Sequence, residues 1–293
     1  MVAILGGLGA ALSWAIATLA SSRSSRMIGA MSVLGWVMAI GLVVAIVPAI
    51  LAKPVPLGVP EVAGLVLLGL CHNIGLLLVY RALTIGRVSI VAPIAATEGA
   101  LAALLSVALG ESLAFATAVL LVAIAVGVVL AAAERTREDE PKPEAGAPRT
   151  HDPAANRRAA LLALAAAATF SVGLVISGRF GASGMSPAWV IVATRTVGIT
   201  IIVLPLVLTR RFRLTRPAVP LVVLAGVLEA FGSAVYVIAA SQGVAVAAVL
   251  SSQFAAIAAV GGFLLFGERI QRHQVLGIVV IALGVTALAA LQA

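Results

Sequence analysis

The chain has 293 residues, of which 62% are hydrophobic and 10% are charged, and its mean hydropathy is +1.19. Soluble domains carry roughly a quarter charged residues and about half apolar ones, so the composition excludes a soluble globular enzyme. The net charge is +8, but twelve charged residues lie within 134–158 and most others lie at the ends of apolar runs. We therefore attribute the positive charge to the loops of a membrane protein and not to nucleic-acid binding. The single cysteine, Cys71, excludes an internal disulfide and a cysteine-rich metal site.

Ten apolar runs are predicted to cross a bilayer, whose core needs about 20 apolar residues per helix. In chain order they are 2–20, 28–51, 61–80, 88–109, 114–133, 159–178, 187–208, 217–240, 244–266 and 273–291. Polar or proline-containing stretches at 21–26 and 53–56 separate the first three runs, and Gly110-Glu111 predicts a tight turn after the fourth. No basic segment precedes the first run, so no cleavable signal peptide is expected.

Residues 134–158 differ from the rest of the chain because they combine Glu, Asp, Arg and Pro without apolar periodicity. Such a segment buries too little apolar surface to order itself and is typical of a mobile linker. It divides the chain into a first half, 1–133, and a second half, 159–293. Each half is predicted to contain five spans.

The two halves resemble each other at one gap-free offset of 157 residues. Identities at this offset include glycines, prolines and the Gly-Glu turn, which a general excess of Ala and Leu does not explain. The pairs are Gly41/Gly198, Pro48/Pro205, Pro60/Pro217, Gly69/Gly226, Gly75/Gly232, Gly86/Gly243, Gly110/Gly267, Glu111/Glu268 and Gly127/Gly284. We infer from these identities that the chain arose by an internal duplication.

The odd number of spans in each half decides the predicted architecture. A five-helix repeat ends on the opposite side of the membrane from its start, so the second copy enters inverted. Inverted repeats are a recurring plan of secondary transporters, which bind substrate near the midplane between the repeats. The fold class predicted is an all-α membrane protein of ten transmembrane helices in two inverted five-helix repeats.

Loop charges predict the orientation. Sixteen Lys and Arg lie in loops on the side of the linker, and two, Lys53 and Arg179, lie on the side of the termini. By the positive-inside rule the linker is cytoplasmic and both termini are outside.

The stretch "YRALTIGRVSIVAPIAATEGALAALLSVALGES", from Tyr80 to Ser112, resembles the EamA family of the drug/metabolite transporter superfamily. Its most specific residues are Tyr80, Ala82, Leu83, Pro93, Gly110 and Glu111. A weaker counterpart runs from Tyr236 to Arg269 and has Leu250 where Pro93 would fall. The resemblance covers nearly all of the chain except the linker.

The resemblance implies a secondary transporter of the cell membrane, of the bacterial inner-membrane type, that exports amino acids or other small metabolites by alternating access. It also implies cytoplasmic termini, opposite to the loop tally. A small-molecule substrate, protons and the lipid bilayer are the expected partners, without a cofactor, and a monomer is compatible with this plan.

Ionisable residues inside the predicted spans are the best candidates for function, because a charge at a helix centre costs about 2.5–3.5 kcal/mol. His72, Glu98, Arg195 and Glu229 qualify, and the 157-residue offset places Glu229 opposite His72. Glu98 or Glu229 is a candidate proton-coupling carboxylate, His72 a proton relay near neutral pH, and Arg195 a site for a substrate carboxylate. A structural ion pair between Arg195 and one of the carboxylates is the alternative.

Polar and aromatic neighbours extend the candidate cavity. Pro93 lacks a backbone N–H and is expected to open the fourth span locally, whereas Glu111 and Glu268 are expected at the membrane interface near a helix start. For a single Ser or Thr, a hydrogen bond to its own helix is the common alternative, and Tyr80 and Tyr236 are equally compatible with interface anchors. The substrate-binding candidates are Asn73, Thr97, Trp14, Thr18, Tyr80, Ser171, Thr194, Tyr236, Ser251, Ser252 and Gln253.

Other classes of protein fit less well. The sequence has no HExxH, GxSxG or phosphate-binding loop, which leaves an intramembrane enzyme with little support and excludes ATP-driven pumping by this chain alone. A passive channel, or a transporter or flippase for lipid-linked or nucleotide sugars, remains open as an alternative to metabolite export.

Overall fold

A computed structural model describes residues 1–52, 57–85, 91, 94–132, 153–254, 256–257 and 272–291. Within these ranges the chain is helical and contains no strand. The first half contains α1 (Val2–Ile28), α2 (Ala30–Leu51), α3 (Val59–Ile85), α4 (Glu98–Ala108) and α5 (Phe115–Ala132). The second contains α6 (Pro153–Ala182), α7 (Pro187–Leu208), α8 (Val219–Ala240), α9 (Val244–Ser251) and α10 (Arg272–Leu291).

Six of these helices, α1 to α3 and α6 to α8, are long and apolar enough to cross a membrane. Shorter apolar helices lie at Glu98–Ala108, Phe115–Leu130 and Val275–Leu288. Large apolar side chains also cover the outside of the protein; on α2, for example, Val43, Ile50 and Leu51 are each at least 70% exposed. A surface of this kind is stable in lipid and would aggregate in water, so the chain is integral to a membrane.

Three helices extend beyond their predicted ends, and α3, predicted at 61–80, runs from Val59 to Ile85. The predicted break at 21–26 is wrong, because α1 continues to Ile28 and ends at Gly29, whose φ is +85°. The hydroxyl of Ser24 donates to the carbonyl of Ala20 at 2.9 Å, so the serine is satisfied inside the helix while the arginines point to solvent. Similarly, α6 begins at Pro153, inside the predicted linker, since Pro suits the first turn of a helix.

The fourth and ninth predicted spans are interrupted at equivalent positions. A turn at Ala96–Thr97 precedes α4, so Glu98 lies in the first turn of a helix and not midway along one. A turn at Ser252–Gln253 follows α9. At both turns a backbone N–H bonds three residues back, from Thr97 to Ile94 and from Gln253 to Leu250. The offset of 157 places Gln253 on Ala96, so the interruption is duplicated as well. Pro93 lies outside the described residues.

The helices of the two halves pack as a pair of related copies. Helix α1 packs on α8 and α3 on α6, while α2, α4 and α5 each pack on their own counterparts, α7, α9 and α10. Close contacts at glycine obey the same relation. A Cβ added at Gly69 would lie 2.7 Å from Val197, and one at Gly226 would lie 2.7 Å from Ile40; the 157-residue offset carries Gly69 to Gly226 and Ile40 to Val197. The packing therefore follows a pseudo-two-fold axis.

Candidate functional site

Three of the four ionisable residues inside the predicted spans meet in one cluster, which we call the axial cluster: His72 on α3, Arg195 on α7 and Glu229 on α8. Arg195 donates from Nη2 to Oε2 of Glu229 in an ion pair. Nη1 of Arg195 lies 3.1 Å from Nε2 of His72, and this Nε2 lies 3.5 Å from Oε1 of Glu229. The sequence placed His72 and Glu229 at equivalent depths, and in the structure the two side chains are neighbours.

Hydrogen-bond chemistry decides the form of the imidazole in this arrangement. A guanidinium group carries donors and no acceptor, so Nε2 of His72 accepts from Arg195 and has no hydrogen. The ring is then neutral, with its hydrogen on Nδ1. The axial cluster thus contains one cation, one anion and one neutral acceptor, and its formal charges cancel.

The axial cluster lies on the pseudo-two-fold axis. His72 and Glu229 are separated by 157 residues, and so are Met38 and Arg195, whose Nη1 donates to the sulfur of Met38 at 3.4 Å. Equivalent positions of two copies can touch only near the axis that relates the copies. Glycine makes room on both sides: a Cβ at Gly41 would lie 2.8 Å from Nε of Arg195, and one at the equivalent Gly198 would lie 2.7 Å from the Met38 side chain.

The three charged or polar groups differ in exposure. The Arg195 side chain is fully buried, whereas the side chains of His72 and Glu229 retain 22% and 15% of their exposure. The guanidinium group lies behind its partners in this conformation. The accessible groups of the axial cluster are therefore an imidazole and a carboxylate.

Asn73 and Thr194 flank the axial cluster. The Asn73 amide donates to the carbonyl of Thr194 at 3.2 Å and to that of Gly69 at 2.8 Å, which ties α3 to α7. The Thr194 hydroxyl donates to Ile191 on its own helix. The oxygen of the Asn73 side chain is buried and has no partner among the described residues.

Ser233 is a member of the site that the sequence analysis missed. Its hydroxyl donates to the backbone carbonyl of Glu229 at 2.8 Å and lies 3.4 Å from Oε1 of the same residue. It also lies 3.5 Å from Nη2 of Arg195. Its spacing of four residues from Glu229 on one helix face was the available signal.

Trp14 and Tyr236 lie beside the axial cluster. The indole N–H of Trp14 lies 3.4 Å from the backbone carbonyl of Glu229, and its ring centroid is 5.9 Å from that of Tyr236. Tyr236 is 2% exposed and donates its hydroxyl to the carbonyl of Leu174 at 3.1 Å. Tyr236 therefore occupies a position in the core and does not anchor the chain at the membrane–water interface.

Glu98 lies apart from the axial cluster, in the first turn of α4. It is 6% exposed, and the ion pair found within the described ranges joins Arg195 to Glu229, not to Glu98. Helix α4 packs tightly on α9 here, since a Cβ at Gly99 would lie 2.4 Å from the carbonyl of Ala248 and 2.6 Å from the hydroxyl of Ser252. Glu98 is thus a buried carboxyl group without a described cationic partner, at the point where two interrupted helices meet.

The remaining candidates occupy varied positions. Hydroxyls of Thr97, Ser171, Ser251 and Ser252 donate to carbonyls of their own segments, at 2.6 to 3.0 Å. Gln253 is buried and its amide nitrogen has no partner among the described residues, while Thr18 is exposed. The side chain of Tyr80, like Pro93 and Glu268, lies outside the described part of the chain. No group of three or more His, Cys, Asp or Glu gathers among the described residues.

Comparison with known proteins shows which family the chain belongs to. No curated protein matches the sequence. A solved structure, whose title reads only "Crystal structure of protein", superposes with a TM-score of 0.74 over 99% of this chain and 97% of its own length at 20% identity, which shows a shared fold. The EamA-like transporter family matches residues 1–133 and again residues 157–290, so the family and the two-repeat architecture expected from the sequence are confirmed. The chain belongs to the EamA-like transporter family.

Proposed function

We propose that the protein is a proton-coupled secondary transporter that exports amino acids or similar small metabolites by alternating access between two inverted repeats. Glu98 carries the coupling proton, and the axial cluster contacts the substrate. The proposal depends on a difference between the surroundings of two carboxyl groups. Glu229 is paired with Arg195, whereas Glu98 has no described cation beside it.

The surroundings of Glu98 suit a group that takes up and releases a proton. A buried carboxylate without a counterion is costly, and protonation removes that cost. The start of α4 supplies the opposing effect, because the N-terminal end of a helix stabilises a negative charge. The carboxyl group also lies where interrupted helices meet, an arrangement that transporters use for ion and substrate sites.

Glu229 is less suited to carry the proton. Protonation would leave the fully buried Arg195 without its counterion, and breaking a buried pair from one side costs about 3–5 kcal/mol. Its partly exposed carboxylate can instead accept a hydrogen bond from a substrate ammonium group, with His72 beside it. A substrate carboxylate could reach Arg195 only after displacing Glu229.

The position of the axial cluster supports a central role. In an inverted-repeat protein the pseudo-two-fold axis lies in the membrane plane, so residues on this axis lie at the midplane. His72 and Glu229, and likewise Met38 and Arg195, satisfy that condition. The midplane is where a transporter that alternates between two symmetric states must hold its substrate.

Transport by proteoliposomes tests the proposal. Glu98→Gln, Glu229→Gln and the matched control Glu61→Gln, which changes a carboxylate near the start of α3, are compared with the parent protein. The substrate is first identified from metabolites that accumulate outside cells overexpressing the protein. We expect Glu98→Gln to abolish the response to a pH gradient while substrate exchange between the two sides continues.

Three results would contradict the proposal. Preserved pH-driven transport in Glu98→Gln removes the coupling role of Glu98. Equal flux with and without a pH gradient in the parent protein indicates passive or uncoupled transport. A new chemical product formed from the substrate would favour an enzyme.

A further inference from the structure

A cavity of about 530 Å³ opens away from the axial cluster, where the ends of α4, α6 and α8 meet the starts of α5 and α9. We call this cavity the vestibule. Its polar lining includes Ser106, Glu111, Ser112, Thr117, Arg179 and Gln242. The loops that form it lie on the side of the termini in the ten-span scheme. Its volume falls within the range of about 300–1,000 Å³ that is typical of small-molecule sites.

Arg179 stands out on this face. The loop tally assigns two Lys or Arg, Arg179 and Lys53, to the side of the termini and sixteen to the other side. Arg179 is exposed, and the hydrogen bond described for it runs from Nη2 to the carbonyl of Leu109 at 3.2 Å. A guanidinium group has five N–H donors in a fork that matches a carboxylate, so most of its donors remain for a ligand.

Glu111 supplies the opposite charge in the same cavity. Both of its carboxylate oxygens lie 3.2 Å from the backbone N–H of Ala245, so the side chain caps the start of α9 and is held in place. A carboxylate has about four lone-pair positions, and one N–H leaves several of them for another donor. Glu111 and Arg179 both line the vestibule, yet neither takes part in an ion pair within the described ranges.

The floor of the vestibule is apolar and closed. Val175, Ala240 and Val244 line it and belong to a packed cluster that also contains Tyr236 and Ala248. Trp14, which lies beside the axial cluster, packs against the same layer, and no residue of the axial cluster lines the vestibule. A molecule in the vestibule is therefore held at a site of its own.

We propose that the vestibule binds a small zwitterion, with its carboxylate on Arg179 and its ammonium group on Glu111. Two opposite charges that share a cavity without pairing are complementary to a ligand that carries both charges, and the cavity has room for one the size of an amino acid. This inference rests on the proposed function for its ligand class, and it adds a second binding station between the midplane and the surface.

Protection of an introduced cysteine measures this binding without transport. Ser112 is exposed and lines the vestibule, whereas the native Cys71 is buried, so Ser112→Cys offers one accessible thiol in the purified protein. The rate of maleimide labelling is measured with alanine, leucine or glutamine, and with alaninamide and lactate as analogues that lack one of the two charges. We expect at least one amino acid to slow labelling about tenfold at about ten times its Kd, since about a tenth of the sites are then empty.

Variants assign the protection to the two charges. Arg179→Gln keeps a donor for the Leu109 carbonyl and removes the charge; we expect the apparent Kd to rise about tenfold or more, because a hydrogen bond to a charged group is worth about 1.5–3 kcal/mol. Glu111→Gln should have a similar effect. The control Arg213→Gln removes an exposed arginine from the loop after α7 and should leave protection unchanged.

The inference is overturned if no amino acid slows labelling, if alaninamide and lactate protect as well as alanine, or if Arg179→Gln is protected like the parent. Protection without transport in proteoliposomes would contradict the proposed function and leave the vestibule site standing. Transport without protection would contradict the vestibule site and leave the proposed function standing.

Discussion

Removal of the Glu229 charge should destabilise the protein far more than removal of an ordinary carboxylate. Glu229→Gln preserves the shape of the side chain but leaves Arg195, which is fully buried, without an anion. His72 cannot replace the lost charge because it faces Arg195 as a neutral acceptor. A buried pair broken from one side costs about 3–5 kcal/mol.

The repeat suggests how to restore the stability. Arg195 occupies the position equivalent to Met38 and touches it, so Arg195→Met installs the residue that the other copy already carries. In the double variant with Glu229→Gln neither charge of this pair remains, and a buried pair replaced by neutral side chains is often close to neutral in stability. We therefore expect the double variant to be more stable than either single variant.

Thermal unfolding in detergent measures the four members of this cycle. A chain of this size loses about 2 °C in Tm per kcal/mol, so Glu229→Gln should melt roughly 6–10 °C below the parent, with most of the loss recovered in the double variant. Glu61→Gln should stay within about 0.5 kcal/mol of the parent. A Glu229→Gln protein that melts with the parent, or a double variant that melts at the sum of the single losses, would refute a coupled buried pair.

Further predictions concern the helix contacts and the topology. Gly99→Ala places a Cβ 2.4 Å from a backbone carbonyl of α9 and should destabilise the protein by about 1–3 kcal/mol in thermal melting. In the control Gly173→Ala the nearest atom lies 3.5 Å from the new Cβ, so this variant should be neutral or slightly stabilising. Equal melting temperatures of the two variants would contradict the described packing of α4 on α9. Glu111→Gln weakens the cap at Ala245 and should cost about 0.5–2 kcal/mol; an unchanged melting temperature would show that the cap does not stabilise the fold. The loop charges predict that a phosphatase reporter fused at Ala293, active only outside the cytoplasm, is active; an inactive fusion of normal abundance would favour cytoplasmic termini.

The features that depend on composition and repetition were predictable from sequence. Apolar run length predicted a membrane protein, and a constant offset between glycines and prolines predicted the duplication. The same offset placed His72 opposite Glu229, because a buried charge is rare enough in a span to be noticed. The contact between these two side chains could not be predicted from depth alone, because residues at equal depth are neighbours only when both lie near the pseudo-two-fold axis.

Other features left no comparable signal. Met38 and Ser233 are ordinary residues in an apolar helix, so their contacts with Arg195 emerged only from the packing. The end of α1 at Gly29 was missed because serine and arginine are compatible with a helix that emerges from the bilayer. For the fourth span Pro93 did predict a local opening, and a turn follows at Ala96–Thr97. The turn after Ser251 falls in a sequence without proline that suits a continuous helix, and there tertiary packing decides.

The placement of the axial cluster on the pseudo-two-fold axis has a mechanical consequence. In the proposed alternating-access cycle the two repeats exchange conformations, and a contact between equivalent positions is carried onto itself. His72 with Glu229, and Met38 with Arg195, can therefore remain together throughout that cycle. The cluster then serves as a pivot of the proposed cycle. The Glu111 cap on α9 and the hydrogen bond from Arg179 to Leu109 join positions that are not equivalent, so the proposed exchange can change them. Contacts between equivalent residues thus lie where the proposed motion is smallest, and the contacts around the vestibule are free to change with it.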